Sequence, residues 1–134
     1  MRIKNIPKKK ILLIEDEEMV INLYEEIFKK AGFEIESLRT CFEGLERLKE
    51  IKDGKEEKPD LILLDLILPD INGIEVLKKV KSKPETKDIL VFALTNYTDP
   101  RLIKELIKEG IDKFLLKTDY IPSQLINIIK EALK

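Results

Sequence analysis

The sequence predicts an α/β fold, a five-stranded parallel sheet with helices on both faces, on three observations. Three short unbroken apolar runs, Ile11-Leu12-Leu13-Ile14, Leu61-Ile62-Leu63-Leu64 and Ile89-Leu90-Val91-Phe92, have the length and character of strands covered on both sides. Between them, apolar residues recur at three- and four-residue spacing, the period of an amphipathic helix. Strand and helix patterns alternate five times, and such alternation builds parallel neighbours joined by right-handed helical crossovers.

Each element follows in order. After the first strand, Ile11–Ile14, the residues Val20, Leu23, Tyr24, Ile27, Phe28 and Ala31 mark the inner stripe of a helix that Gly32 ends. Phe33-Glu34-Ile35-Glu36 alternates apolar with charged, which suits a strand with one wet face at the sheet edge. Thr40 with Glu43 forms a capping box for the second helix, ended by Gly54, and a charged loop over 52–58 leads to Leu61–Leu64. Asn72 with Glu75 opens the third helix on a looser version of the same box. After Ile89–Phe92, Asp99-Pro100 sets an N-cap before a proline at the first helical position, and Leu102, Ile103, Leu106 and Ile107 carry the helix to Gly110. Phe114-Leu115-Leu116 is the last strand, and Leu125, Ile128, Ile129, Ala132 and Leu133 form the stripe of the last helix. The domain is drawn over 10–134, with 1–9 a basic, flexible leader and 52–58 a second mobile stretch.

A chain of 134 residues is one domain that can bury a core without staples, and no second, output domain fits in it. Its 25 basic and 26 acidic residues cancel to −1, so no nucleic-acid footprint is expected. Cys41 is the single cysteine and forms no internal bridge. Charges interrupt every apolar run well before the roughly 18 residues of a membrane span, and no signal peptide opens the chain, so a soluble, cytoplasmic protein is expected. Charged residues make up 38% of the chain, Lys and Glu dominate, and His and Trp are missing, a bias resembling proteins from hot environments.

The chemistry lies at the strand ends. In an open parallel sheet the ligand crevice sits outside the carboxyl ends of the strands, so residues there converge from distant points of the chain. The first strand runs into Glu15-Asp16-Glu17, the third into Asp65, the fourth into Thr95-Asn96 and the fifth into Lys117. Singly, each has an ordinary reading: helix capping and dipole complement for the acids, a turn residue, a loop hydroxyl, a solvated ammonium. Together they do not, because carboxylates gathered at one rim repel by about 4 kcal/mol per pair at 4 Å and an effective dielectric near 20 unless a cation offsets them. Magnesium is hard, takes oxygen ligands and is held by one or two carboxylates plus a phosphate, so the rim reads as a phosphoryl-transfer site with Asp65 as nucleophile.

The segments ILLIEDEE, LILLDLILPDINGIEVL, ALTN and DKFLLK, in this order, resemble the receiver domain of bacterial two-component response regulators, chemotaxis-type, over 10–134. Asp65, Pro69 and Gly73 carry its Asp-x-x-x-Pro-x-x-x-Gly arrangement. The resemblance implies a flavodoxin-like sheet of order 2-1-3-4-5. It implies Asp65 as phosphoacceptor, Asp16 as direct magnesium ligand, Glu15 holding metal-bound water, and the Ile67 backbone carbonyl as a further ligand. Thr95 would hydrogen-bond the phosphoryl oxygen, Lys117 would pair with it, and Phe114 would rotate as Thr95 moves. The donor would be a histidine kinase or a histidine phosphotransfer protein. Output would pass to a downstream protein effector, by relay, by partner binding or through pairing of two copies on the face of the fourth helix, fifth strand and fifth helix.

Four positions bear on how this chain differs within the family. Thr118 follows Lys117 where receivers usually have a cis proline, and a cis bond before threonine costs roughly 3 to 4 kcal/mol, so a trans bond is expected. Asn96 is larger than the usual small residue after the threonine, which predicts slower chemistry. Ile67 and Tyr97 flank the path of attacking water and neither orients it, which predicts slow self-dephosphorylation. A degenerate receiver that only docks is the alternative reading. An aspartyl phosphatase is disfavoured because Leu66 and Ile67 follow Asp65, where a second aspartate is needed as general acid.

Overall fold

The computed structural model describes residues 8–66, 72–96 and 99–134. Five strands alternate with five helices: β1 (Lys10–Ile14), α1 (Glu18–Lys30), β2 (Glu34–Leu38), α2 (Cys41–Lys52), β3 (Leu61–Leu64), α3 (Ile74–Ser82), β4 (Leu90–Thr95), α4 (Pro100–Lys108), β5 (Lys113–Leu116) and α5 (Pro122–Ala132), with a 3-10 turn at Lys117–Asp119. All strand pairs are parallel and the order is β2-β1-β3-β4-β5, as the family resemblance implies.

Alternate residues of each central strand feed opposite layers, the period-2 rule of a pleated strand. Leu12, Ile14, Ile62, Leu64, Val91 and Ala93 pack with α2, α3 and Leu106 of α4. Ile11, Leu13, Leu61, Leu63 and Phe92 pack on the other face with Ile21 and Phe28 of α1 and with Leu125 and Ile129 of α5. Each such side chain is worth about 1.5–3 kcal/mol of burial, so the two layers hold the sheet flat side to flat side between helices. β2 lies at the edge, as its alternating pattern predicts.

Several details differ from the sequence reading. β1 begins at Lys10, one residue before the expected Ile11, and the Lys10 amide donates to the Asp60 carboxylate at 2.7 Å. Within the 52–58 loop the Lys55 and Glu56 amides donate to the Glu50 carbonyl at 2.8 and 3.2 Å, and Lys58 pairs with Asp88. In α1 the buried residues are Ile21 and Phe28, whereas Leu23 is 44% exposed. Asn72 caps from one position earlier than expected, its side-chain oxygen accepting from the Ile74 amide at 3.1 Å with Gly73 as N-cap. The Lys117-Thr118 bond is trans, and no cis peptide occurs among the described residues. Residues 1–7, Ile67, Pro69 and Tyr97 lie outside the described residues.

Candidate functional site

The ladder itself positions the acids. The Glu15 amide donates to the Leu38 carbonyl of β2 at 2.9 Å, and the Asp65 amide donates to the Ile14 carbonyl of β1 at 3.0 Å. Each residue is therefore fixed by the neighbouring strand one step beyond its own. Glu15 is 2% exposed and Asp65 8%, while Asp16 is open to solvent. One carboxylate oxygen from each of Glu15, Asp16 and Asp65 lies within 4.8 Å of the others, a spacing that can hold a metal ion. Three hard oxygen donors, one of them accessible, suit a hard metal cation.

Lys117 reaches the same point from β5. Its Nζ lies 3.0 Å from Glu15 Oε1 and 3.4 Å from Asp65 Oδ2, and the Glu15 Oε2 accepts from the Glu17 amide at 3.2 Å. Burial works against the Lys117 ammonium, but the Glu15 hydrogen bond and the Asp65 charge outweigh it and hold its pKa above the ordinary lysine value. Thr95 is the last residue of β4, buried, and in register with Leu116, next to Lys117. Phe114 sits one layer below, paired with Ala93 and half-buried against the α2–α3–α4 core.

Gly73 approaches the site from α3. A Cβ there would lie 2.7 Å from the Asp65 carbonyl oxygen and 2.8 Å from the Leu66 Cα, so only glycine permits this packing. Tyr24 is the residue sequence reasoning missed. It fits the apolar stripe of α1, yet its phenol, raised in pKa first by burial, also feels the charges of Lys117 and Glu15. A polar tip on an otherwise aliphatic stripe was the available signal.

A family model described as the response regulator receiver domain matches residues 11–130. The chain is a response regulator receiver domain. As such, this receiver belongs to two-component signalling, in which receiver domains interact with histidine kinases, and is a phosphoacceptor domain of a regulator rather than an enzyme. It is 29% identical over 125 residues to the polar-differentiation response regulator DivK of Brucella anthropi, covering 93% of this chain and 96% of that one. The phosphorylated cyanobacterial phytochrome response regulator RcpA superposes with a TM-score of 0.79 at 32% identity, over 94% of this chain and 91% of that chain. The Mn(2+)-bound form of response regulator Rcp1 gives 0.76 at 29%, over 87% and 86%. No helix among the described residues of the receiver is long and apolar enough to cross a membrane.

Proposed function

We propose that this receiver accepts a phosphoryl group on Asp65, with magnesium held at Glu15, Asp16 and Asp65 and the Ile67 carbonyl, and signals by changing which protein it binds. The observation that carries this is the meeting of those three carboxylates with Lys117 at one point, which leaves a concentrated negative charge that one ammonium only partly offsets. Phosphorylated RcpA and Mn(2+)-bound Rcp1 support the same two occupancies by likeness.

The donor is a histidine kinase or a histidine phosphotransfer protein. An Asp65 carboxylate oxygen attacks phosphorus in line, the new O–P bond forms as the N–P bond of the phosphohistidine breaks, and the electron pair stays on the imidazole. Lys117 moves its charge from Glu15 towards the bound phosphoryl, and the Thr95 hydroxyl donates to another of its oxygens. The cation, when bound, neutralises charge on the transferring group. Phosphorylation replaces the single negative charge of the Asp65 carboxylate with a phosphoryl group carrying about −2 and three acceptor oxygens, which draws Thr95 inward, and Phe114 rotates into the space it leaves, altering the surface of α4, β5 and α5. The partner reading that surface is a downstream protein effector or a second copy, in the cytoplasm.

Acetyl phosphate with magnesium tests the chemistry by intact mass. One phosphoryl adduct on the parent protein and none on Asp65→Asn is the expected result. Labelling that survives Asp65→Asn would move the acceptor to another residue, and none in the parent would favour a receiver that only docks; either overturns the assignment. The adduct is expected to persist in the purified protein, and its loss within seconds would contradict the slow self-dephosphorylation read from Ile67 and Tyr97.

A further inference from the structure

We infer that the cleft between α2 and α3 binds a small phosphorylated organic molecule, at a site separate from the acidic rim. A cavity of about 380 Å³ lies there, lined by Leu45, Leu48, Lys49 and Lys52 from α2 and by Lys79 and Lys83 from the end of α3. That volume suits a small ligand rather than a protein surface. Its floor is aliphatic, with Leu48 buried and Leu45 packed on the core. Thr86 also borders it, but its hydroxyl already donates to the Val80 carbonyl at 2.7 Å, so polar recognition falls to the four ammonium groups.

Those ammonium groups have no anionic partner within 4.0 Å among the described residues. Lys49, Lys52, Lys79 and Lys83 share this with other surface lysines such as Lys87 and Lys130, but these four gather around one cavity. Helix dipoles account for part of this placement, since Lys49 and Lys52 close α2 and Lys79 closes α3. Each helix C-terminus carries about half a negative charge, so the two ends answer to roughly one of the four cations. The cleft thus gathers four lysines around one apolar hollow in a chain whose net charge is −1.

The complement is a head with two or three negative charges joined to an apolar body that rests on Leu45, Leu48 and the lysine stems. No arginine lines the cleft, so the planar fork that favours carboxylates is missing, while lysine point charges suit tetrahedral phosphate. This favours a phosphorylated small molecule over an acidic peptide.

ADP is the probe, with pyrophosphate and adenosine as its halves, titrated by calorimetry and amide NMR without divalent cations so that the acidic rim takes up no phosphate. ADP should shift the amides of 45–52 and 79–86, adenosine should not bind, and pyrophosphate should bind more weakly than ADP. The double variant Lys49→Gln/Lys83→Gln should keep its melting temperature and lose affinity about tenfold. Asp65→Asn should bind ADP as the parent does, which keeps this result apart from the fate of the phosphoacceptor reading. Shifts confined to the strand ends, a double variant that binds as tightly as the parent, or displacement of ADP by an equal concentration of a glutamate decamer would each overturn the proposal.

Discussion

Gly73 is a glycine for want of room, not for backbone freedom, since its φ is an ordinary helical −58°. The atoms a methyl would strike belong to the backbone of Asp65 and Leu66, which cannot swing aside as a side-chain tip could. Gly73→Ala should therefore destabilise the protein by about 1–3 kcal/mol in urea melts and slow phosphorylation by acetyl phosphate, because relief of the overlap displaces Asp65. A variant neutral in both respects would show the packing to be looser than this. The acids themselves predict a second residue-scale effect. Asp65 faces two carboxylates and one ammonium, so Asp65→Asn should stabilise the metal-free protein by roughly 1 kcal/mol. Magnesium at about 100 times its dissociation constant should stabilise the parent by about 2.7 kcal/mol, and thermal melts of Asp16→Asn should show no such gain.

At the scale of elements, β2 and α2 are joined by a charged clamp. Arg47 of α2 grips Glu36 of β2 through two nitrogens, the Nη2–Oε2 distance being 2.6 Å, and Lys10 of β1 adds its ammonium at 3.6 Å. The Arg47 hydrogen bond, acting against partial burial, holds the Glu36 carboxyl below its ordinary pKa. A depressed native pKa contributes stability that is complete above the unfolded value, near 4.5, and is lost as the pH falls through the lower native one. Glu36→Gln should thus cost about 1 kcal/mol at neutral pH, with the gap to the parent closing in acid below the usual carboxylate range; a pH-independent difference would sink the linkage. This clamp also marks where the sequence stops being legible. Glu36 reads as the wet half of an alternating edge strand, and nothing local reveals that Arg47 covers it. The doubly covered strands were readable because Leu61–Leu64 is buried at every residue. The helical stripes were readable only in outline: in α4 both Leu106 and Ile107 fit the period, yet Leu106 is fully buried and Ile107 is 66% exposed, because the period does not say how wide a stripe the neighbouring layer covers. Glu15, Asp16, Asp65, Thr95 and Lys117 were legible because topology alone brings strand ends to one rim. The contact of Lys117 with Glu15, the nearness of Tyr24 and the tightness at Gly73 depend on distances between elements, which no local pattern encodes.

Over the whole molecule, the charged surface is organised rather than scattered. Arg47 gathers Glu36, Glu50 and Glu56, and Lys78 bridges Glu75 of its own helix to Glu105 of α4. Lys81 joins α3 to Asp112, whose second contact at 2.8 Å is the Val91 amide of β4, and it also donates to the Ile89 carbonyl. Single exposed pairs contribute little at 25 °C, but networks that tie separate elements gain weight with temperature, because the cost of dehydrating charge falls on heating. The receiver should therefore melt above the mesophile range of about 45–65 °C. Arg47→Met should lower the midpoint more than Lys30→Met, since Arg47 links β2, α2 and the following loop whereas Lys30, among the described residues, pairs with Glu26 one turn away on the exposed face of the same helix. Calorimetric scans of the three proteins decide it: equal midpoints for the two variants would mean that the pairs act singly, and a parent midpoint inside the mesophile range would mean that the charge bias serves something other than heat.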